Sequence, residues 1–306
     1  MKAQLVPSAI FLLALLPVSA LAPPAPPEKR APVEINELVR HAAANFKERE
    51  DLLNNYTYLA HYVWSSYDLR GRRPRPSTAD FEIVFLEGEP YMRQIKSNDQ
   101  PLPPEEETRQ IAVMEAFARA RREAKSRPGG LPAFYRALAL PVAQLPDAFD
   151  LHVKGRQRLD GREVFVIEAT PKNIQEPAGA EQEHARHFKM KLWIDPGEAQ
   201  IVKIEGEVVK EIVVTGIPAV PGPIANETPM VFESQQIRRL YKPGSIISEE
   251  WTRLDESAWL PKHAHANIQE RIWLELPKAN SSPWRDVRDC TYSGYKKFRV
   301  KATIVP

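Results

Sequence analysis

Apolar and polar positions trade places residue by residue through much of the second half of the chain. In the first half they recur every three or four positions in two stretches. Phe188, Met190, Leu192 and Ile194 interleave with Lys189, Lys191, Trp193 and Asp195. Val202, Ile204, Gly206 and Val208 interleave with Lys203, Glu205 and Glu207. A period of two sends alternate side chains to opposite faces of a strand, so this pattern predicts an antiparallel sheet with one buried and one wetted face. Asp195-Pro196-Gly197 marks the turn between the two strands. Residues 151–158 and 164–170 flank Asp160-Gly161, a hairpin signal. Further strands are expected over 231–241, 246–254, 263–274 and 292–304. Lys242-Pro243-Gly244 is a turn and 217–229 a Pro-rich loop.

The first half reads differently. Over 33–53, Ile35, Leu38, Val39, Ala42, Phe46 and Leu53 fall on one stripe at steps of three, four and seven, which predicts an amphipathic helix. Residues 55–69 are aromatic and β-branched, with Tyr56, Tyr58, Tyr62 and Trp64 on one parity, and predict a long strand. The segment 71–76 turns the chain. Strands follow at 81–86 and 91–96, joined through Glu87-Gly88-Glu89. Pro103-Pro104 opens a helix to about residue 127, acidic at its start and basic at its end as the helix dipole favours, with Ile111, Met114, Phe117 and Ala118 as its apolar stripe. Gly129-Gly130 ends it, and a short helix is expected over 132–140. The sum is ten to twelve antiparallel strands and two or three helices. This is an α+β fold in which a large curved sheet, an incomplete barrel, wraps over its helices.

Composition narrows the class. The chain has 306 residues, 42 Lys+Arg against 40 Asp+Glu and a formal charge of +2, so it lacks the basic excess that nucleic-acid binding calls for. Residues 1–22 carry Lys2, an apolar run over 10–16 and small residues at Ala20 and Ala22. That is the grammar of an export signal, with cleavage expected after Ala20 because Pro23 disfavours the later site. After residue 22 no apolar run nears the roughly 20 residues a membrane span needs. Residues 21–32 read as a Pro-rich extended tether, and 33–306 as one domain. Cys290 is the sole cysteine, so an exported chain of this composition depends on its core and not on an internal disulfide.

Candidate chemistry is sparse. His184 and His187 are three apart, and His263 and His265 two apart. A strand would put the second pair on one face, but no further ligand completes a metal site. Ser293 and Lys296 fit S-x-x-K, yet the segment reads as turn and strand where that chemistry needs a helix. Asp147 and Asp150 form one of many acid pairs available among 40 carboxylates. The basic runs at 119–127 and at Arg70, Arg72, Arg73 and Arg75 suit a solvated surface or anionic head groups. No catalytic residue, cofactor or metal is assigned, and the expectation is a protein that is not an enzyme.

The order of an N-terminal amphipathic helix, a long aromatic strand, central helices and a meander containing LWIDPGEAQIVKIEGEV resembles the LolA/LolB-like superfamily of periplasmic outer-membrane lipoprotein-sorting proteins. A phrase W-I-D-x-x-x-x-x-I-x-K/R recurs there, and Trp193, Ile194, Asp195, Ile201 and Lys203 fit it. The pieces NYTYLAHYVW, GEPYMRQI, LDGREVFVIEATP and YSGYKKFRVKATIVP look like an uncharacterised exported branch of that group. The chain departs from the carriers in its length, its Pro-rich loop and its basic central helix. The resemblance implies a half-barrel whose concave face can hold acyl chains, with a lipid or lipoprotein as partner. The alternative is an envelope protein-interaction or stress-sensor module of the same fold with a packed interior. A lipid tail gains about 0.8 kcal/mol for each CH₂ it buries in such a groove. Large or adaptable side chains suited to line it are Tyr56, Tyr58, Tyr62, Trp64, Phe81, Ile83, Phe85, Met190, Leu192 and Ile204.

Overall fold

Helix α1 (Pro32–Leu53) buries the stripe its spacing implies: Ile35, Val39, Ala42 and Phe46 are buried and Leu38 and Leu53 half-buried. In this computed structural model of the chain, the structure describes residues 32–67, 76–86, 89–125, 138–173, 177–217, 237–255, 258–274 and 283–297. Several expected features lie outside the described residues, apart from some edge positions. They are the leader, the tether up to residue 31, the 71–76 turn with the arginines around it, positions 87–88 of the first hairpin, the end of the helix at 126–127, Gly129-Gly130, the 132–140 helix, the 217–229 loop, and positions 231–236 and 298–304 of two expected strands.

After α1 come strands β1 (Tyr56–Tyr67), β2 (Ser77–Leu86), β3 (Glu89–Ser97) and the short β4 (Gln100–Pro101), then helix α2 (Pro104–Lys125). A 3₁₀ turn (Val142–Gln144) and helix α3 (Leu145–Ala148) lead into β5 (Phe149–Leu159) and β6 (Arg162–Pro171). Helix α4 (Ala180–Ala185) precedes β7 (Phe188–Asp195), β8 (Gln200–Val208) and β9 (Ile212–Ile217). The remaining strands are β10 (Ile237–Tyr241), β11 (Ile246–Asp255), β12 (Ala258–Leu274) and β13 (Pro283–Lys297). The thirteen strands among the described residues form one antiparallel sheet in the order β4-β3-β2-β1-β13-β12-β11-β8-β7-β6-β5, with β10 paired to β12 and β9 to β10. The two ends of that order, β4 and β5, do not pair, so the sheet is open and not a closed barrel. Strand β12 is long enough to carry both β11 and β10 on one edge, the two separated by the turn at Gly244, whose positive φ of 84° suits glycine.

The W-I-D phrase is explained by the β7–β8 turn. Asp195 Oδ1 accepts from the backbone N–H of Gly197 at 2.8 Å, and its other oxygen accepts from Arg162 at 3.2 Å. Glu198 accepts from Arg162 at 3.1 Å, from Arg253 and from Trp259 Nε1 at 2.9 Å. Asn45 of α1 donates to the Ala199 carbonyl at 3.0 Å. The turn thus ties β6, β11, β12 and α1 together. Ile194 and Ile201 pair across it with no exposure, and Lys203 lies over the Trp193 ring while bonding Glu250 at 2.5 Å. Trp193 and Asp195, expected on a wetted face, are buried for this reason: Trp193 donates to Gln157 at 2.8 Å beneath two lysines, and Asp195 serves the turn.

Two apolar clusters follow from this layout. The larger is built from α1, the 3₁₀ turn, α3, α4 and residues of β5 through β12. The smaller is built from β1, β2, β12 and β13. Helix α2 forms as its sequence implies, but Ile111 of its stripe is 40% exposed. Its Phe117 meets Tyr91 at 5.1 Å, and Tyr91 alternates with Met92 of the smaller cluster. This contact therefore lies on the face of β3 opposite that cluster. Cover for the inner face comes from α1, the 3₁₀ turn and α3.

Candidate functional site

Antiparallel register places directly opposed residues on the same face. Starting from β2, successive partners are Ala79, Tyr62, Cys290, Ala264, Glu249, Ile204, Leu192 and Ile167. This rung crosses eight strands on the concave face. It joins Tyr62 to Leu192, and its one charged member is Glu249.

The ten residues singled out from sequence divide along this rung. Met190, Leu192 and Ile204 belong to the larger cluster and are 0–1% exposed beneath α1. Tyr56, Tyr58, Phe81 and Ile83 are buried in the smaller cluster. Tyr62, Trp64 and Phe85 pack against it half-buried. The Tyr62 ring meets Phe81 edge-on at 5.4 Å, and Tyr58 contacts Tyr292 at 5.8 Å and Tyr295 at 5.2 Å. Met92, Tyr292 and Tyr295 also belong to this apolar wall and were not singled out, although all three lie within the segments 91–96 and 292–304 already read as strands. Cys290 sits between Tyr62 and Tyr292, and burial pushes its thiol up to about 11. The neutral thiol is a poor nucleophile, since the thiolate is the reactive form. A thiol reagent at pH 8 is expected to leave Cys290 unlabelled in the folded protein and to modify it fully in denaturant; rapid labelling of the native state would contradict this packing.

Where the two clusters meet, a pocket of about 110 Å³ is lined by Phe46, Arg49, Glu50 and Leu53 of α1 and by Glu249, Trp251, Ala264 and Tyr292 of the sheet. Arg49 is 4% exposed. Its Nη1 donates to the Ile201 carbonyl at 2.9 Å, and its Cζ lies 4.4 Å from the Phe46 ring centre and 4.1 Å from that of Trp251. Its Nη2 is buried with no hydrogen-bond partner. Burial lowers the guanidinium to about 9, against the pull of Glu249 and Glu50. Burial raises Glu249 to about 7, with Arg49 opposing and Glu50 assisting, and Glu50 is raised by burial as well.

Sequence signals for both charged residues exist. The helix stripe skips seven positions from Phe46 to Leu53, and Arg49 fills the empty slot. Glu249 shares its parity with Ile247 and Trp251, which turn inward.

Of the other sequence candidates, His263 also lines this pocket and the rest lie elsewhere. His265 Nδ1 is 2.8 Å and His263 Nε2 3.5 Å from the same oxygen of Asp289, and His61 is 2.6 Å from Asp80. Among the described residues no group of three His, Cys, Asp or Glu gathers as a set of metal ligands. His184 bonds the Ala139 carbonyl at 2.9 Å and His187 the Lys210 carbonyl at 3.3 Å. Ser293 and Lys296 flank a bulge at Gly294 in β13 and are exposed, as are Asp147 and Asp150. No described helix is long and apolar enough to cross a membrane.

No protein-family model and no curated protein sequence matches the chain. Among solved structures it is similar to a domain assigned to outer membrane lipoprotein sorting from Vibrio parahaemolyticus, at 9% identity and a TM-score of 0.35, over 86% of this chain and 94% of that one. A LolA superfamily protein from Nitrosomonas europaea matches at 8% identity and a TM-score of 0.25, over 85% and 94% of the two chains. The MucA/MucB complex structure from Pseudomonas aeruginosa matches at 11% identity and a TM-score of 0.23, over 85% and 99%.

Proposed function

We propose that this is a non-enzymatic periplasmic protein that binds the acyl chain of a lipid, or of a lipid-modified protein, on the concave side of its sheet. The chain would lie along Tyr56, Tyr58, Tyr62, Trp64, Phe81, Ile83 and Phe85. One observation carries the reading. The two clusters on the concave face are finished differently. The larger is filled by α1 and α3, whereas large apolar side chains at the margin of the smaller (Tyr62, Trp64, Phe85, Met92, Tyr292 and Tyr295) stay half-buried. A largely aromatic margin of this kind gains free energy when hydrocarbon covers it. Met190, Leu192 and Ile204 form the rigid floor under the helix, next to the binding wall. The 110 Å³ pocket is well below the roughly 300–1,000 Å³ of a typical ligand site. It therefore suits a small polar group, and the tail runs along the wall.

Native mass spectrometry of the mature protein from envelope extract is expected to show a population carrying an acyl lipid. The double variant Tyr62→Ser, Phe85→Ser is expected to bind a fluorescent fatty-acyl probe about tenfold or more weakly, since each ring gives up on the order of 1 kcal/mol of apolar contact. Unliganded mass alone, together with no saturable uptake of the probe, would sink the reading.

A further inference from the structure

The apolar wall of the smaller cluster ends on a cation. At the last rung of β1 and β13, Lys297 stands directly opposite Tyr56, so the two share the concave face. From the rung of Tyr62 and Cys290 to this one, the concave positions of β1, β2 and β13 carry no other charged side chain. Lys297 is exposed, and its Nζ lies 5.7 Å from the centre of the Tyr56 ring. No carboxylate among the described residues pairs with it.

The other end of the wall is finished differently. Arg288 stands opposite Trp64 there, but Asp286 accepts from its Nη2 at 2.7 Å, so that cation is already compensated. The sequence past β13 sharpens the contrast, since residues 298–306 add Arg299 and Lys301 and no acid. An acyl chain on the wall therefore has a matched ion pair at the Trp64 end and an unmatched positive charge at the Tyr56 end. Hydrocarbon does not distinguish the two ends. A charged head group does, and this asymmetry sets both its sign and the direction of the chain behind it.

We propose that Lys297 is the head-group subsite of the acyl-binding face and takes an oxyanion, the carboxylate of a fatty acid or the phosphate of a lysophospholipid, with the acyl chain running from Tyr56 toward Trp64. The inference rests on the acyl-binding reading and adds to it the charge class and direction of the ligand. The Tyr56 ring beside the ammonium belongs to the smaller cluster, so head and tail meet adjoining surfaces.

The test uses the full mature chain and isothermal titration at about 0.15 M salt, where exposed charges more than about 8 Å apart are largely screened. The ligands share one chain length: dodecanoate, dodecyl phosphate, dodecanol and dodecyltrimethylammonium. At least one of the two anions is expected to bind about fivefold more tightly than dodecanol, the scale of one exposed ion pair, and the tighter anion names the source. Lys297→Met should erase that preference, and Lys297→Glu should turn it toward dodecyltrimethylammonium. Lys296→Glu makes the same charge change one residue away, opposite Thr57 on the other face, and should leave the preference in place. Equal loss in both glutamate variants would show a diffuse field and overturn the subsite. Equal binding of all four ligands, or tighter binding of the alcohol or the cation, overturns the head-group inference and leaves acyl binding standing. If none of the four binds, the acyl reading fails and the subsite with it.

Discussion

Leu192→Ala is expected to cost about 3–5 kcal/mol of folding stability, the range for a large side chain deleted from a packed core. Leu192 has no exposed surface and sits between Ile167 and Ile204 on the rung that crosses the sheet. Rigid strands hold it on both sides, so the site cannot collapse onto the missing methyl groups, and a cavity term adds to the lost transfer energy. In a domain of this size such a loss lowers Tm by roughly 10 °C. Leu59, 41% exposed on β1, provides the control, and Leu59→Ala should fall within about 0.5 kcal/mol of the native protein. Urea unfolding of both variants checks the pair. A small effect of Leu192→Ala would mean that the larger cluster is loosely filled, and would reopen Met190, Leu192 and Ile204 as part of the ligand wall.

Glu249→Gln should stabilise the protein at pH 8 by up to about 3 kcal/mol and leave it unchanged near pH 4. The sign follows from proton linkage. In the folded protein Glu249 holds its proton up to about pH 7, whereas the unfolded chain releases it near the ordinary value of 4.5. Between those values the native state binds more protons, so this group's contribution to stability falls as pH rises and is fully lost above about 7. Glutamine cannot ionise and removes that penalty. The groups around Glu249 are Arg49 and Glu50 on α1, Glu250 on β11, His263 on β12 and Tyr292 on β13. They are present in both proteins, so to first order their titrations cancel when variant and native curves are subtracted. Chemical unfolding at several values between about pH 4.5 and 8 gives the difference. A variant less stable than the native protein at pH 8 would show that an ionised Glu249 is well paired with Arg49.

How far the sequence could be read depended on what each residue type has to do. Strict alternation over 188–208 located β7, β8 and their turn because one face of those strands is packed and the other is mostly wet. Asp160-Gly161 located the β5–β6 hairpin because a tight turn needs positive φ, which both residues adopt, at 47° and 81°. Residues 212–217 are β-branched apart from Gly216 and form β9, yet too few alternating positions marked them as a strand. The branching of β12 into two partners is set by long-range pairing and leaves no local pattern. The apolar half of the candidate site was legible for the same reason as the sheet: Tyr56, Tyr58 and Tyr62 share a parity. The polar half was not. Arg49 occupies an inward slot of the helix stripe, but it sits in a run of charged residues, Lys47 to Asp51, that reads as a solvated helix face, so residue type and position point opposite ways until its burial against Trp251 is seen.

The most direct test of acyl binding on the concave face is covalent. A phospholipid bearing a diazirine near the end of its acyl chain, irradiated with the mature protein and mapped to single residues by tandem mass spectrometry, should mark Tyr56, Tyr58, Tyr62, Trp64, Phe81, Ile83 or Phe85, with competition by unlabelled lipid. Adducts confined to the opposite face, on Leu59 or around His61 for instance, or labelling that unlabelled lipid does not compete away, would contradict the account.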